Sequence, residues 1–526
     1  MKKSLSLFAG IVSSICIHAT AAELPFPAAT ACLDAQLASG RAQNALSGIA
    51  VVAVLDGHVV YRRNLGTVSP SSTQPVQSST RFRIGSVTKA MTATAVLSLA
   101  EDGRLRLHAP AARLLPGFSL PGDPVWMDRL TAHNLLSNQG GIADPSDAVG
   151  PSDDGALAAA FYDPAFTATT PLLVPPGTFY NYSSTNFMLA GLLAEAAAGK
   201  PYRLVVRQRV FKPLGMKRAA FQASEVMADN DAAFGVGVDT VYAPDAYDDS
   251  VERPAGMAWA SAEDLAKFAK FILRGDREVL STRHWRGMQT AQVDMAERPD
   301  GSLGHGYGLA IDSNGAFPAV SAPNGPLRFY PGVKVVWYEG AVPGYRALMV
   351  TLPNQQFGYV ALVNGDLQNA FTDSMPCMRR AAVEAIGARL PATAPFPPPL
   401  IERDRFVDYV GQYEDRLPIA GPAIVTLTAS GDLHIQFPEL DAVGYGYDPI
   451  LHPVNRDNFQ LDLQDGSFRV TGFRQGGSNV VYLRTSPTVF ARVPSGAAPS
   501  SSVATRRSTA PAVDLAALKR AIQMAR

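Results

Sequence analysis

Cysteine is scarce in this chain, with three among 526 residues, so the fold is not a disulfide-built scaffold. Charge is scarce as well. Only 17% of residues are Asp, Glu, Lys or Arg, and 46 basic residues balance 46 acidic ones. Without an excess of either sign, the composition speaks against a nucleic-acid-binding surface or an acidic tail. Past the N-terminus no stretch is long and apolar enough for a transmembrane anchor. The eight histidines are scattered, with no His-Glu-x-x-His and no Cys-His cluster. No Gly-rich Walker loop and no Gly-x-Ser-x-Gly elbow occur either. Neither a metal nor a phosphate-bearing cofactor is expected, and the α/β-hydrolase fold lacks its nucleophile.

What is present is apolar material, 47% of the chain, in a length that implies two or more folded units. Lys2 and Lys3 precede the short apolar run L-S-L-F-A-G-I-V-S-S-I-C-I and the small residues A-T-A-A. Residues 1–22 therefore read as a signal peptide, cleaved after Ala21 or Ala22, and a periplasmic or secreted protein is expected. Cys16 follows Ile15 rather than a small residue, which excludes a lipid anchor there. Cleavage leaves Cys32 and Cys377, and spacing alone leaves open whether they form a bridge or two buried thiols.

Residues 23–390 read as one unit. Two β-branched runs meet at Asp56-Gly57, a hairpin signal. A helix is expected from Ser86 to Asp102, stopped by Gly103. The text from about residue 110 to 260 is rich in helix, and Ser261 with Asp264 resembles a capping box. Strand-like runs return at L-R-F-Y-P-G-V-K-V-V-W-Y-E-G, A-L-M-V-T-L and Y-V-A-L-V-N, followed by the helix M-R-R-A-A-V-E-A-I-G. The simplest assembly is an α+β fold, with one antiparallel sheet built from both ends of the unit and a helical insertion between them. The proline-rich residues 391–400 read as a linker, 401–494 as a small antiparallel β-barrel, and 495–526 as low-complexity linker plus a short helix. That helix has Leu515, Leu518 and Ile522 on one face.

The chemistry concentrates in R-F-R-I-G-S-V-T-K-A-M-T. Ser86 and Lys89 are three residues apart at a helix start, so their side chains share one side. Unpaired backbone N–H groups there suit a developing oxyanion. A capping serine with a solvated lysine would be the structural alternative. The stretch resembles the nucleophile segment of the penicillin-recognising serine hydrolases. It is most similar to the class C β-lactamase group with its related esterases and D-amino-acid peptidases. L-T-A-H-N-L-L-S-N-Q-G-G-I, F-K-P-L-G-M and H-G-Y-G-L are weaker markers of the same resemblance, which runs from about residue 31 to 389.

The resemblance implies a sheet subdomain packed on an all-helical one, with a catalytic cleft between them. It also implies three catalytic residues: Ser86 as nucleophile, Lys89, and Tyr182 of the second motif, here Tyr182-Ser183-Ser184. Ser184 stands where the family has Asn, and Asn186 is expected to point elsewhere. The third motif falls on Tyr338, Glu339 and Gly340. There Tyr338 replaces a cationic residue, Gly340 admits substrate to the strand, and the Ala341 N–H joins that of Ser86 as an oxyanion donor. Loss of that cation tilts the expected substrate toward esters or D-amino-acid amides rather than β-lactams. A second reading is a weakened binding module for cell-wall peptides. In the barrel, Asp408, Glu414, Asp432 and Asp441 read as turn and surface residues, and a scaffold or lid role is expected. The oligomeric state is not legible.

Overall fold

The computed structural model describes residues 26–43, 46–144, 150–237, 239–298, 301–313, 317–319, 328–365, 368–485, 488–494 and 513–525. The expected signal peptide and most of the low-complexity segment lie outside the described residues.

Helix α1 (Pro27–Ala42) leads into strands β1 (Leu46–Leu55) and β2 (His58–Gly66). Their turn holds Asp56 and Gly57 at φ 51° and 82°, the left-handed pair a two-residue hairpin needs. Helices α2 (Thr88–Glu101), α3 (Ser184–Ala198) and α4 (Ala262–Arg274) follow. Next come β3 (Val293–Asp294), β4 (Leu303–His305), β5 (Ala310–Asp312), β6 (Val335–Val342), β7 (Tyr345–Leu352), β8 (Phe357–Gly365) and helix α5 (Gln368–Ile386).

These strands form one eight-stranded antiparallel sheet in the order β2-β1-β8-β7-β6-β5-β4-β3. The first hairpin is thus zipped to the last strand, as the two-ended pattern implies. Alternation along β1 sends Ala50, Val52 and Val54 to one face and Ile49, Val51 and Ala53 to the other. The first face packs on α4, the second on α1 and α5. With both faces covered, the strand is apolar from Ile49 to Leu55.

Every residue of α2 from Thr88 to Leu99 is buried, so it is an internal helix with no solvent side. The Ser261 hydroxyl caps α4 by accepting from the Asp264 N–H at 3.2 Å. The Asp264 carboxylate accepts instead from the Arg218 N–H, so only half of the capping box forms. Cys32 and Cys377 are bonded, Cα atoms 5.3 Å apart, joining α1 to α5.

The strand-like run from 327 to 340 holds two separate strands among its described residues. Pro331-Gly332 interrupts it, and Arg328–Tyr330 pairs with Phe317–Pro318 and Ala394–Pro395 in a separate sheet. Residues 393–396 of the proline-rich stretch are docked on this sheet: Phe396 packs on Phe329 with ring centroids 4.9 Å apart.

The second unit has eight antiparallel strands. They are β9 (Gly411–Asp415), β10 (Ala423–Leu427), β11 (Leu433–Gln436), β12 (His452–Asn455), β13 (Asn458–Leu463), β14 (Gly466–Arg474), β15 (Val480–Arg484) and β16 (Val489–Arg492). Their order is β11-β10-β9-β16-β15-β14-β13-β12. Bridges His434–Ile450 and Tyr447–Leu463 span the remaining gap, so the sheet nearly closes on itself. Helix α6 (Leu515–Ala525) covers it with Leu518 and Ile522 buried and Leu515 partly so.

Candidate active site

Ser86 stands in a single 3-10 turn, Gly85–Val87, between the short strand Arg81–Arg83 and α2. No side chain caps this turn, so its hydroxyl is not spent on the backbone. Lys89, the second residue of α2, is fully buried. Its Nζ donates to Ser86 Oγ at 3.0 Å, to the Ala255 carbonyl at 2.9 Å and to Ser184 Oγ at 3.3 Å. Three oxygens therefore surround Nζ. The Tyr182 hydroxyl lies 2.8 Å from Ser86 Oγ, and its ring centroid is 4.9 Å from Lys89 Nζ. Tyr182 is 39% exposed, which makes it the side of this triad that solvent and ligands reach.

The segment carrying Tyr182 runs straight into α3. Asn181 N–H donates to the Asn138 carbonyl at 2.7 Å, and Ser184 N–H to Asp144 Oδ1 at 2.9 Å. Asn186 is buried and donates to Asn138 Oδ1 at 3.1 Å, so it points away from the triad, as expected.

Strand β6 forms the opposite wall. It pairs with β5 only over Val335–Trp337, so among the described residues Tyr338 to Val342 has a strand neighbour on one side alone. Gly340 meets the Ser86 turn backbone to backbone: a Cβ on it would lie 2.9 Å from the Ser86 nitrogen. Gly85, at φ +50°, likewise has the Ala341 nitrogen against it. The amides of Ser86 and Ala341 are thereby brought to the same place. Tyr338 is buried, and Asn138 supplies a side-chain hydrogen bond to its hydroxyl. Burial, with Tyr182 and Tyr180 nearby, holds that phenol well above its ordinary range, so the side chain at 338 is neutral.

Several residues were not singled out from the sequence. Burial raises the Asp144 carboxyl to about 6, against the opposing pull of Lys89 and the Ser184 and Thr185 N–H groups. Burial and the neighbouring Asp144 raise Glu252 to about 8, again with Lys89 opposing. Lys89 thus has two carboxyls in its electrostatic surroundings. His305 Nε2 is 3.4 Å from Asn138 Nδ2, and burial, helped by the charge of Lys89, lowers its imidazole to about 3 and keeps it neutral. Asn138 at φ 54° ties Tyr338, His305, Ser183 and Asn186 together. It sits inside L-S-N-Q-G-G, and Asn is among the non-glycine residues most often found in left-handed backbone.

The disulfide lies across the sheet from this site, in the core shared by α1 and α5. In the barrel Glu414 and Asp432 are ion-paired with Arg416 and Arg403, and Asp441 accepts from Tyr447, away from Ser86. A cavity of about 250 Å³ rimmed by Arg104, Arg106 and Arg113 is lined by none of the site residues. Among the described residues no three His, Cys, Asp or Glu side chains converge as a metal site would need, and no helix is long and apolar enough to cross a membrane.

A serine, a buried lysine and a tyrosine in mutual contact between a helical layer and an open sheet edge define a serine hydrolase of the β-lactamase kind. The Beta-lactamase family profile matches residues 33–380, and the chain belongs to that family. It is 25% identical over 322 residues to an unguisins hydrolase of Aspergillus campestris, a match covering 60% of this chain and 58% of the fungal protein. It is 32% identical over 216 residues to esterase EstB of Burkholderia gladioli, covering 39% of this chain and 55% of the esterase. The chain thus spans little more than half the length of either. Among solved structures, SurE with D-Leu superposes with a TM-score of 0.62 at 21% identity, covering 89% of this chain and 99% of that one. The fold of both units therefore has a solved counterpart.

Proposed function

We propose that the enzyme cleaves a neutral ester or a D-amino-acid amide through an acyl-enzyme on Ser86. The observation that carries this reading is that Ser86 Oγ lies within hydrogen-bond distance of both Lys89 Nζ and the Tyr182 hydroxyl. Lys89 and Tyr182 share the general-base task. The pair acts in the form that carries one proton fewer than ammonium plus phenol: as Oγ bonds to the acyl carbon, its proton fills that vacancy, and the carbonyl π electrons move onto the oxygen facing the Ser86 and Ala341 amides. Collapse expels the leaving group, which takes the proton back through Tyr182. Water then repeats the sequence and frees the acid.

Tyr338 bears on the substrate class. β-Lactams and peptidyl-D-alanines carry a carboxylate, and a buried neutral phenol offers it no fixed charge. Neutral acyl donors fit this wall better. The N-terminal pattern of residues 1–22 supports an exported enzyme.

The test is turnover of p-nitrophenyl esters, D-alanyl anilides and nitrocefin, together with fluorophosphonate labelling, against a Ser86→Ala control. Ester or D-anilide hydrolysis with little nitrocefin turnover, all lost in Ser86→Ala, is expected. Absence of any Ser86-dependent adduct or turnover would favour the binding-module reading.

A further inference from the structure

The segment Phe179–Ser183 is held from two sides. On one, the 138–144 loop anchors it through Asn181, Ser183 and Ser184, the Ser183 hydroxyl donating to the Ala143 carbonyl at 3.2 Å. On the other side stands the barrel. The Phe179 ring stacks on Phe473 of β14, centroids 4.2 Å apart and planes 14° from parallel, and meets Tyr482 of β15 edge-on at 5.6 Å. Arg484, the last residue of β15, donates from Nη1 to the carbonyl of Tyr180. From Nη2 it reaches the Met295 carbonyl at 3.2 Å and Thr471 Oγ1 at 3.3 Å. Its guanidinium lies over the rings of Phe473 and Tyr180, 5.2 and 5.6 Å from their centroids.

The same barrel corner grips the loop behind Tyr180. Asn458 Nδ2 donates to the Ala296 carbonyl at 2.6 Å, and Asn455 Nδ2 to the Glu297 carbonyl at 2.9 Å. With Arg484 on Met295, three successive carbonyls of this loop are held by barrel side chains. Met295 is in turn buried against Tyr180 and Leu303. Among the described residues Arg484 alone hydrogen-bonds from the barrel into the tyrosine segment, and it does so two residues before Tyr182.

We propose that Arg484 is a positioning residue for Tyr182. By fixing the Tyr180 carbonyl against the Met295 carbonyl, the barrel sets the backbone from which the Tyr182 hydroxyl reaches Ser86. The inference rests on Tyr182 acting as a proton-transfer group. A planar fork with several donors suits two carbonyls from different segments, a task that one ammonium performs less well. Barrel and hydrolase unit are then one catalytic device.

The experiment compares the parent full-length chain with Arg484→Gln, Arg484→Lys, Phe473→Ala and the surface ion-pair control Arg403→Gln. Two readouts are taken: kcat and KM on a p-nitrophenyl ester, and the 19F spectrum of 3-fluorotyrosine placed at Tyr182. Arg484→Gln is expected to lower kcat about tenfold to a hundredfold with KM little changed, since displacement of a reacting group by about 1 Å has that effect. The fluorine resonance should shift or broaden, Arg484→Lys should recover part of both, and Arg403→Gln should match the parent. Unchanged resonance and kcat in a folded Arg484→Gln protein would overturn the proposal. So would losses that track melting temperature alone and match those of Phe473→Ala. If Arg484→Gln does not fold, the same comparison is made with Arg484→Lys. The fluorine readout needs no turnover, so a parent without Ser86-dependent activity would remove the hydrolase reading while leaving the bracing of Tyr182 measurable.

Discussion

Gly85 and Gly340 touch backbone to backbone: a Cβ on Gly85 would lie 2.9 Å from the Gly340 Cα and overlap the Ala341 nitrogen. Neither position has room for a side chain, because the Ser86 turn and β6 approach within main-chain distance. Gly340→Ala should therefore push β6 away from Ser86. Ester kcat is expected to fall by about 10²–10³, the cost of losing one oxyanion donor, and the melting temperature to drop as well, because the new Cβ would meet the Ile84 carbonyl oxygen at 1.9 Å. Steady-state kinetics with differential scanning fluorimetry checks it, and parent-like kcat would remove Ala341 from the oxyanion role.

Tyr182→Phe keeps the ring beside Lys89 and deletes only the hydroxyl next to Ser86. A fall in kcat of about 10²–10⁴ is expected, the usual range for a general acid–base group. Fluorophosphonate labelling of Ser86 should slow in parallel, because it needs the same proton removed. Labelling at the parent rate would assign the task to Lys89 alone.

Glu252 makes stability depend on pH. Its folded-state pKa, about 8, stands above the ordinary 4.5, so the folded protein keeps a proton that the unfolded chain gives up. That stabilisation is complete below pH 4.5 and is lost as the pH climbs through about 8. Glu252→Gln, neutral at every pH, should flatten this decline and melt above the parent at alkaline pH, by roughly 2 °C per kcal/mol recovered. Melting curves of both proteins across that window decide it. Identical slopes would exclude Glu252 as the source.

The Cys32–Cys377 bridge closes a loop of 345 residues in sequence. Reduction, or Cys32→Ser with Cys377→Ser, should lower stability by about 2–5 kcal/mol. Activity at room temperature should persist, because the bridge lies on the far side of the sheet from Ser86. Calorimetry with and without reductant, followed by an ester assay, tests both halves. Activity lost while the protein is still folded would contradict the second.

What could be read from the sequence was local. Asp56-Gly57 announces its hairpin because only left-handed backbone turns so tightly, and the Ser86–Lys89 spacing announces a shared helix side. Tyr182 and Gly340 became legible through the resemblance that links their short motifs to Ser86. Residues whose roles arise only from tertiary contact stayed hidden. Arg484 and Tyr180 are 304 positions apart, and nothing in V-V-Y-L-R distinguishes a bracing arginine from a solvated strand end. Asp144 and Glu252 look like ordinary loop acids until the fold brings both near a buried lysine. The break at Pro331-Gly332 was visible in the letters, but the apolar run around it outweighed it.

Strand β1 lies between β2 and β8, so the central sheet joins segments from opposite ends of the hydrolase unit. During synthesis at the ribosome, β1 must wait a long time for its neighbour, since Leu55 pairs with Phe357, 302 positions later. Until then one hydrogen-bonding edge and the apolar faces of β1 remain uncovered. Such a chain acquires its native topology late and slowly. Its early intermediates are what chaperones would be expected to hold.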